Sequence, residues 1–379
     1  MKFLHTSDLH IGLRMCEYSM LADCRHILAE ISEIAVREGC EAVIIAGDLY
    51  DRAAPSAEAV AVLDGFVSGL AEAGIAVLAV AGNHDSAERV AYLSAVAKAA
   101  GVYFSPVYDG ECEKVTFTDA YGEVDIWLLP YVRPVNVRAV WEEFEGNRFC
   151  EAVEYITGRI PLDPEKRNVL VTHHFVVGGE VTEEDELGGA GLVPARIFDG
   201  FDYTALGHLH GAHPVGRTCR YSGSPLKHSF NEIADEKTVT VVELREKGEV
   251  LVECVPLHPL RDLREVRGTY DEVVHTGLHD PAKEDYIRVV LTDEEDILDA
   301  AVKLRVVYPN LMRLAYDNRR TREYREIGGS AADVPEDGTI RPEDVFAELF
   351  ELQNNVPPDE ELLDVVRGIF ETCEEVECE

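Results

Sequence analysis

The chain has 379 residues, 46% hydrophobic and 28% charged, enough for one sizeable domain with smaller ones beside it, which excludes disorder as its main state. Its 35 Lys and Arg face 72 Asp and Glu, and a net charge of −37 repels phosphate backbones at long range, so affinity for nucleic acid would have to come from bound divalent cations or a basic partner. No apolar run reaches the roughly 18 residues that cross a bilayer, the start turns polar too soon for a signal peptide, and nine cysteines without a C-x-x-C pair exclude a disulfide framework; reduced thiols in a cytoplasmic protein are expected.

From residue 1 to 258 short apolar runs alternate with amphipathic stretches, which predicts an α/β domain. Ile27, Leu28, Ile31, Ile34 and Ala35 make one stripe of a helix over 22–38 that stops at Gly39. Residues 42–46, Ala-Val-Ile-Ile-Ala, are too short and too continuously apolar for a helix and read as a buried strand. A second helix covers 57–73 before Gly74, and a second buried strand covers 75–81. Further strands are expected at 125–129, 168–172, 203–206, 237–244 and 249–257.

Beyond Pro259 the pattern thins. Residues 259–329 carry one strand, Tyr286–Leu291, and one helix, Glu294–Val306, which predicts a small α+β module. Its arginines, Arg313, Arg319, Arg320, Arg322 and Arg325, read either as DNA contacts or as a solvated face partnered by Asp317, Glu323 and Glu326. Residues 330–340 read as a linker and 341–379 as two short helices split by Asn354–Pro358. Their apolar stripes contain Phe346, Leu349 and Phe350 in the first helix and Leu363, Val366 and Phe370 in the second. Two short helices cannot bury that surface against each other, so a docking site is expected, with folding back onto the chain's own second module as the alternative.

Five polar clusters in the first domain each follow an apolar run: Asp8-Leu9-His10, Gly47-Asp48-Leu49-Tyr50-Asp51-Arg52, Gly82-Asn83-His84-Asp85, His173-His174 and Gly207-His208-Leu209-His210. Ligands in open α/β sheets bind at the carboxyl ends of strands, so the five converge on one crevice. Asp, Asn and His are ligands for divalent transition metals, and there are too many here for one ion. Two bridged ions can clamp the attacking and leaving oxygens of a phosphoryl group, and Asp48, central in the series, is the candidate bridge. Taken singly, Asp8 and Asp48 could be helix caps and each histidine an ordinary hydrogen-bonded residue; the conjunction in fixed order defeats that reading. His174 cannot share the direction of His173 on a strand and reads as structural. His228 and the remaining histidines stay ordinary. The glycines before Asp48, Asn83 and His208 are expected to allow sharp turns.

This order of motifs resembles the calcineurin-like metallophosphoesterase superfamily. More narrowly, residues 3–12, the GDLYDR run and Arg220-Tyr221-Ser222-Gly223-Ser224-Pro225-Leu226-Lys227 are similar to the nuclease D subunits of bacterial SbcCD complexes. The resemblance implies a sandwich of two central sheets flanked by helices, a small α+β capping domain and a C-terminal helical hairpin. It implies one Mn²⁺ on Asp8, His10, Asp48 and His210 and a second on Asp48, Asn83, His173 and His208, with His84 as the unligated catalytic histidine. Asp51 is expected to orient His84 through its carboxylate, and Arg52 is a candidate phosphate contact. The activity implied is a DNA nuclease, exonuclease on duplex ends and endonuclease on single strands or hairpins. The partners implied are DNA and an SbcC-type coiled-coil ATPase gripped by the hairpin, in a homodimer within a heterotetramer. A phosphatase or cyclic-nucleotide phosphodiesterase could use the same centre, and a metal-bound scaffold is the alternative of another class.

Overall fold

The computed structural model describes residues 1–179 and 191–319, with single positions Thr321, Phe346, Pro358, Leu362, Leu363 and Val366. The chain divides into two compact units, Met1–Leu291 with Ile297–Ala315, and Thr292–Asp296 with Tyr316–Glu379.

Five strands carry the site: β1 (Lys2–Thr6), β2 (Ala42–Ala46), β3 (Ala76–Val80), β4 (Arg167–Thr172) and β5 (Tyr203–Leu206). The first six-stranded sheet runs Val250–Pro256, Thr238–Leu244, β1, β2, β3, Val102–Phe104. The second runs His213–Val215, Cys219–Tyr221, β5, β4, Gly122–Leu129, Glu113–Asp119. Within the first sheet β1, β2 and β3 are parallel, and within the second β4 and β5 are parallel. Successive side chains point to opposite faces, and both faces are covered, which is why these strands are apolar without alternation. Phe3, Ile44, Leu78 and Val80 face Val124, Ile126, Val169 and Ala205 across the layer between the two sheets.

The opposite face of the first sheet, Leu4, Val43, Ile45 and Val77, packs on helices α1 (Leu21–Arg37) and α2 (Ala57–Glu72) through Ile27, Ile31, Ile34, Leu63 and Phe66. Helix α2 opens at Ser56, whose hydroxyl accepts from Ala59 N at 3.2 Å, and its chain turns at Gly74 with φ 74°. Trp127, Leu129, Leu170 and Leu206 on the outer face of the second sheet meet Val153 and Ile156 of the helix Phe149–Thr157. The expected sandwich is therefore what forms, and the expected helices and strands of residues 1–258 lie within a few residues of their anticipated ends.

Past residue 259 the sequence reading was incomplete. Strands Leu263–Gly268 and Leu311–Tyr316 flank the anticipated Tyr286–Leu291 in a three-stranded sheet, and helix α3 (Tyr270–His279) follows the first of them. Leu263–Gly268 holds only two aliphatic side chains among its charges, too few for a visible period. Helix α3 begins on a capping box, Thr269 with Glu272, a start signal carried by residue type and not by periodicity. The helix expected over 294–306 is confined to Ala300–Leu304, because Asp299 before it takes a left-handed backbone, φ 54°, that a helix interior excludes.

Residues 259–291 belong to the same compact unit as the sandwich. One buried carboxylate joins them: Asp23 of α1 accepts from Tyr286 Oη at 2.7 Å and from Arg261 Nη1 at 3.3 Å. Asp23→Ala should strand both donors and lower unfolding stability by about 1–3 kcal/mol, against about 1 kcal/mol for Tyr286→Phe. Urea denaturation of the two variants checks this order.

Candidate metal centre

Each cluster sits where its strand leaves the sheet. Asp8 and His10 follow β1, Asp48 follows β2, Asn83 and His84 follow β3, His173 follows β4, and His208 and His210 follow β5. The first two loops are zipped together by Asp8 N to Gly47 O, His10 N to Asp48 O and Ile11 N to Leu49 O, each 3.0 Å. Four of the candidate ligands hold a left-handed backbone: Asp8 at φ 53°, His10 at 41°, Asp48 at 50° and His208 at 102°. Such residues cost of order 1–3 kcal/mol each and persist where the surroundings fix them, a concentration typical of functional sites.

The glycines act differently from the expectation. Gly47, at φ 90°, does need a turn that other residues resist. Gly82 and Gly207 have no such φ; there a Cβ would overlap the Asp48 carboxylate and the Ala46 carbonyl respectively, so space is the constraint.

The ligand atoms converge. His173 Nε2 lies 3.2 Å from Asp48 Oδ2, 3.9 Å from Asp8 Oδ1 and 3.1 Å from Asn83 Oδ1, and Asn83 Oδ1 is also 3.0 Å from His208 Nδ1. His10 Nε2 lies 3.6 Å from Asp48 Oδ2. Donor atoms of Asp8, Asp48 and His173 come within 4.8 Å of one another, as do those of His10, Asp48 and His84, and those of His10, His210 and His228. Asp48 belongs to the first two groups, the position a bridging carboxylate requires. The residues fit a divalent metal on a further ground: His10 Nε2 is buried with no hydrogen-bond partner, a donor atom aimed at the place an ion would fill.

Electrostatics says the same. Burial alone would raise Asp48, but the charge of His173 beside it wins and holds the carboxyl well below its usual range. Burial alone would lower His173, but Asp48 and then Asp8 outweigh it and push the imidazole up to about 9. Burial lowers His10 and His208 to about 4 each, which keeps both neutral and able to ligate. His173 thus carries a proton where a cation would satisfy the same carboxylates.

A surrounding layer orients these groups. Asp85 accepts from Leu49 N at 3.0 Å, Tyr50 N at 3.0 Å and Gly82 N at 2.9 Å, tying the β2 and β3 loops together. Glu232 Oε1 lies 3.2 Å from His210 Nδ1 while its Oε2 accepts from Lys237 Nζ at 2.7 Å, a carboxylate–histidine arrangement that leaves the other ring nitrogen to a metal. Ser7 Oγ donates to Asp8 and lies 2.8 Å from Ser222 Oγ. His173 Nδ1 is satisfied by Ala46 O at 2.7 Å. Sequence reasoning assigned no role to Asp85, Glu232, Ser7 or Lys237; only Asp85, inside the GNHD cluster, offered a signal.

Two placements differ from the sequence reading. The group Asp51 offers to His84 Nδ1 is its backbone carbonyl, at 3.0 Å, while its carboxylate lies 3.4 Å from Arg52 Nε. The carboxylate is therefore not the orienting group, because the loop turns it toward the neighbouring arginine. His228, read as ordinary, joins the cluster of His10 and His210. Arg319 is exposed and its backbone N–H donates to Glu294, and Arg320 lies outside the described residues. As expected of an alternating strand, His174 turns away, between Thr172 Oγ1 at 2.8 Å and Val132 O at 3.2 Å.

The sequence profile of the calcineurin-like phosphoesterases matches residues 1–212, and that of the type 5 capsule protein repressor C-terminal domain matches 259–354. The chain belongs to the calcineurin-like phosphoesterase family. The D subunit of the nuclease SbcCD from Staphylococcus epidermidis is 29% identical over 338 residues, 86% of this chain and 89% of its own length. Its counterpart from Staphylococcus saprophyticus is 29% identical over 323 residues, 83% and 84% of the two chains. A solved dimetal phosphatase from Danio rerio aligns with a TM-score of 0.40 at 13% identity over 66% of this chain and 98% of its own, a likeness too weak to add to the assignment. The phosphoesterase centre therefore binds divalent metal, and among the described residues no helix is long and apolar enough to cross a membrane.

The position of His173 makes metal affinity pH-dependent. Its proton, bound below about 9, must leave before the nitrogen can ligate, so affinity should rise from pH 7 to pH 9 by up to about tenfold per unit and then level off. Titration of the metal-free protein with a competing chelator at several pH values measures this; a flat profile would contradict the assignment of His173 as a ligand.

Proposed function

We propose that the protein is a Mn²⁺-dependent DNA nuclease, exonuclease on duplex ends and endonuclease on single strands or hairpins, that works in the cytoplasm with an SbcC-type ATPase in DNA repair, recombination and replication. The observation that carries the reading is the convergence of Asp8, His10, Asp48, Asn83, His173, His208 and His210 at five strand ends of a chain similar over most of its length to nuclease D subunits. Asp8, His10, Asp48 and His210 would hold one ion, and Asp48, Asn83, His173 and His208 the other. Bound there, the ions would supply an acidified water and neutralise the phosphoryl oxygens.

The chain's own part is positioning and proton transfer. The Asp51 carbonyl can only accept, so His84 Nδ1 carries a proton and Nε2 is left to exchange one with the leaving oxygen. The ring is exposed, within reach of a bound strand, and its backbone N–H donates to Asp48 Oδ1 at 2.9 Å, which fixes it to the centre. Arg52, whose side chain is 80% exposed, is the candidate phosphate contact. Arg319 and Arg320 are the further candidates for contact with DNA. On so acidic a chain the ions and the basic partner supply the rest of the attraction.

Assembly as a homodimer within a heterotetramer is supported by exposed Val60 on α2 and exposed Tyr92, Leu93 and Val96. For the ATPase, the support lies in the C-terminal stripe. Phe346, Leu363 and Val366 are helical, and Phe346 and Leu363 are half-buried, whereas Val366 is already covered within the chain itself; Leu349, Phe350 and Phe370 lie outside the described residues. The module from residue 259 would cap the nuclease domain.

The assay is turnover with Mn²⁺, with and without the ATPase, on end-labelled duplex, hairpin DNA and p-nitrophenyl phosphate esters. Strong monoester hydrolysis with no DNA cut would replace the nuclease by a phosphatase. His84→Gln should keep its metal and lose about 10²–10⁴-fold in turnover, whereas Asp51→Asn should stay within about threefold of wild type because the carbonyl remains. Loss of metal from His84→Gln would make His84 a ligand instead. Deleting everything after Gly329 should leave Mn²⁺-dependent cutting of single strands intact but abolish co-purification with the ATPase and ATP-dependent attack on duplex ends.

A further inference from the structure

His228 belongs to none of the strand-end motifs; it follows Ser224-Pro225-Leu226-Lys227 in the loop that leads to the Thr238–Leu244 strand. Its ring is nonetheless packed against the metal centre. The ring centre lies 4.9 Å from that of His10 and 4.9 Å from that of His210, and those two are 5.3 Å apart. The planes cross at 87°, 88° and 69°. Three imidazoles sharing one ion at about 2.1 Å hold their ring centres roughly 4.5 to 5.2 Å apart, close to the triangle observed. One ring nitrogen of each comes within 4.8 Å of the other two.

Ordinary hydrogen bonding does not account for this packing. His228 Nδ1 and His10 Nε2 are both buried with no hydrogen-bond partner, and groups left so in a native structure call for an explanation such as an ion. Glu232 builds the same corner from both sides. Its Oε2 accepts from His228 N at 3.3 Å and its Oε1 lies 3.2 Å from His210 Nδ1, so a single carboxylate sets the loop that carries one imidazole and the tautomer of another.

We propose that His228 is a further metal ligand, the third imidazole on the ion held by Asp8, His10, Asp48 and His210; this rests on the two-ion reading of the centre. Three nitrogen donors move that site's preference along the divalent series from Mn²⁺ toward Co²⁺ and Ni²⁺. The other site, with two imidazoles and an amide oxygen, keeps the weaker discrimination. His228 thereby makes the two halves of the centre unequal in metal choice.

The test uses the full-length protein, stripped with chelator and titrated separately with Co²⁺ and Mn²⁺, comparing wild type with His228→Asn and His228→Phe. Bound ions are counted by mass spectrometry after equilibrium dialysis, and the visible absorption of bound Co²⁺ reports its ligand field. Both variants should weaken one of the two ions by at least about tenfold. The loss should be larger for Co²⁺ than for Mn²⁺, the cobalt spectrum should change, and the second ion should hold as before. Unchanged affinity and spectrum in both variants would overturn the proposal and leave the two-ion centre standing. Equal weakening of both ions with a lowered melting temperature would also overturn it, making His228 a packing residue. A wild-type chain that binds no second ion would overturn the proposal together with the reading beneath it.

Discussion

The structure turns on the meeting of Asp48 and His173. One follows a strand of the first sheet, the other a strand of the second, and their side chains lie 3.2 Å apart with almost no exposure to water. Two buried groups of opposite charge in contact stabilise each other only if both stay ionised, and here each keeps the other so: Asp48 is held low and His173 is raised to about 9. The pair therefore couples the stacking of the sheets to the charge state of the centre.

Close approach of the sheets explains features that are otherwise separate costs. Left-handed backbone at Asp8, His10, Asp48 and His208 turns four side chains toward one point within two to four residues of a strand end. The strain is tolerable because the loops are locked to each other by backbone hydrogen bonds and by the three N–H groups that converge on Asp85. Gly82 and Gly207 lie where Asp48 and the Ala46 carbonyl leave no volume for a side chain. Rigid loops and missing Cβ atoms together give ligands a fixed geometry before any ion binds, the condition for catalysis by positioned charge.

The acidic surface belongs to the same logic. A chain of net charge −37 gains phosphate affinity only where positive charge is concentrated, and a centre that binds divalent metal is such a place. The outward-facing His84 and Arg52 beside that point fit a substrate that arrives from solvent.

Local sequence determined the strands and helices of residues 1–258 and the five ligand clusters, because each depends on runs a few residues long: continuous apolar strands, helical stripes ending at Gly39 and Gly74, and polar residues directly after them. The stretch beyond 259 was legible only in part, since Leu263–Gly268 carries just two apolar side chains, of which Leu263 alone is buried, and Asp299 breaks a helix through its backbone angle. Within the site, residue types announced a metal, but which atom meets which was decided by tertiary structure. Asp51 shows its carbonyl instead of its carboxylate to His84, Glu232 reaches His210 from 22 residues away, and His228 joins His10 across more than two hundred residues. Such contacts arise where loops from different strands close on one crevice, and a one-dimensional pattern carries no record of that distance.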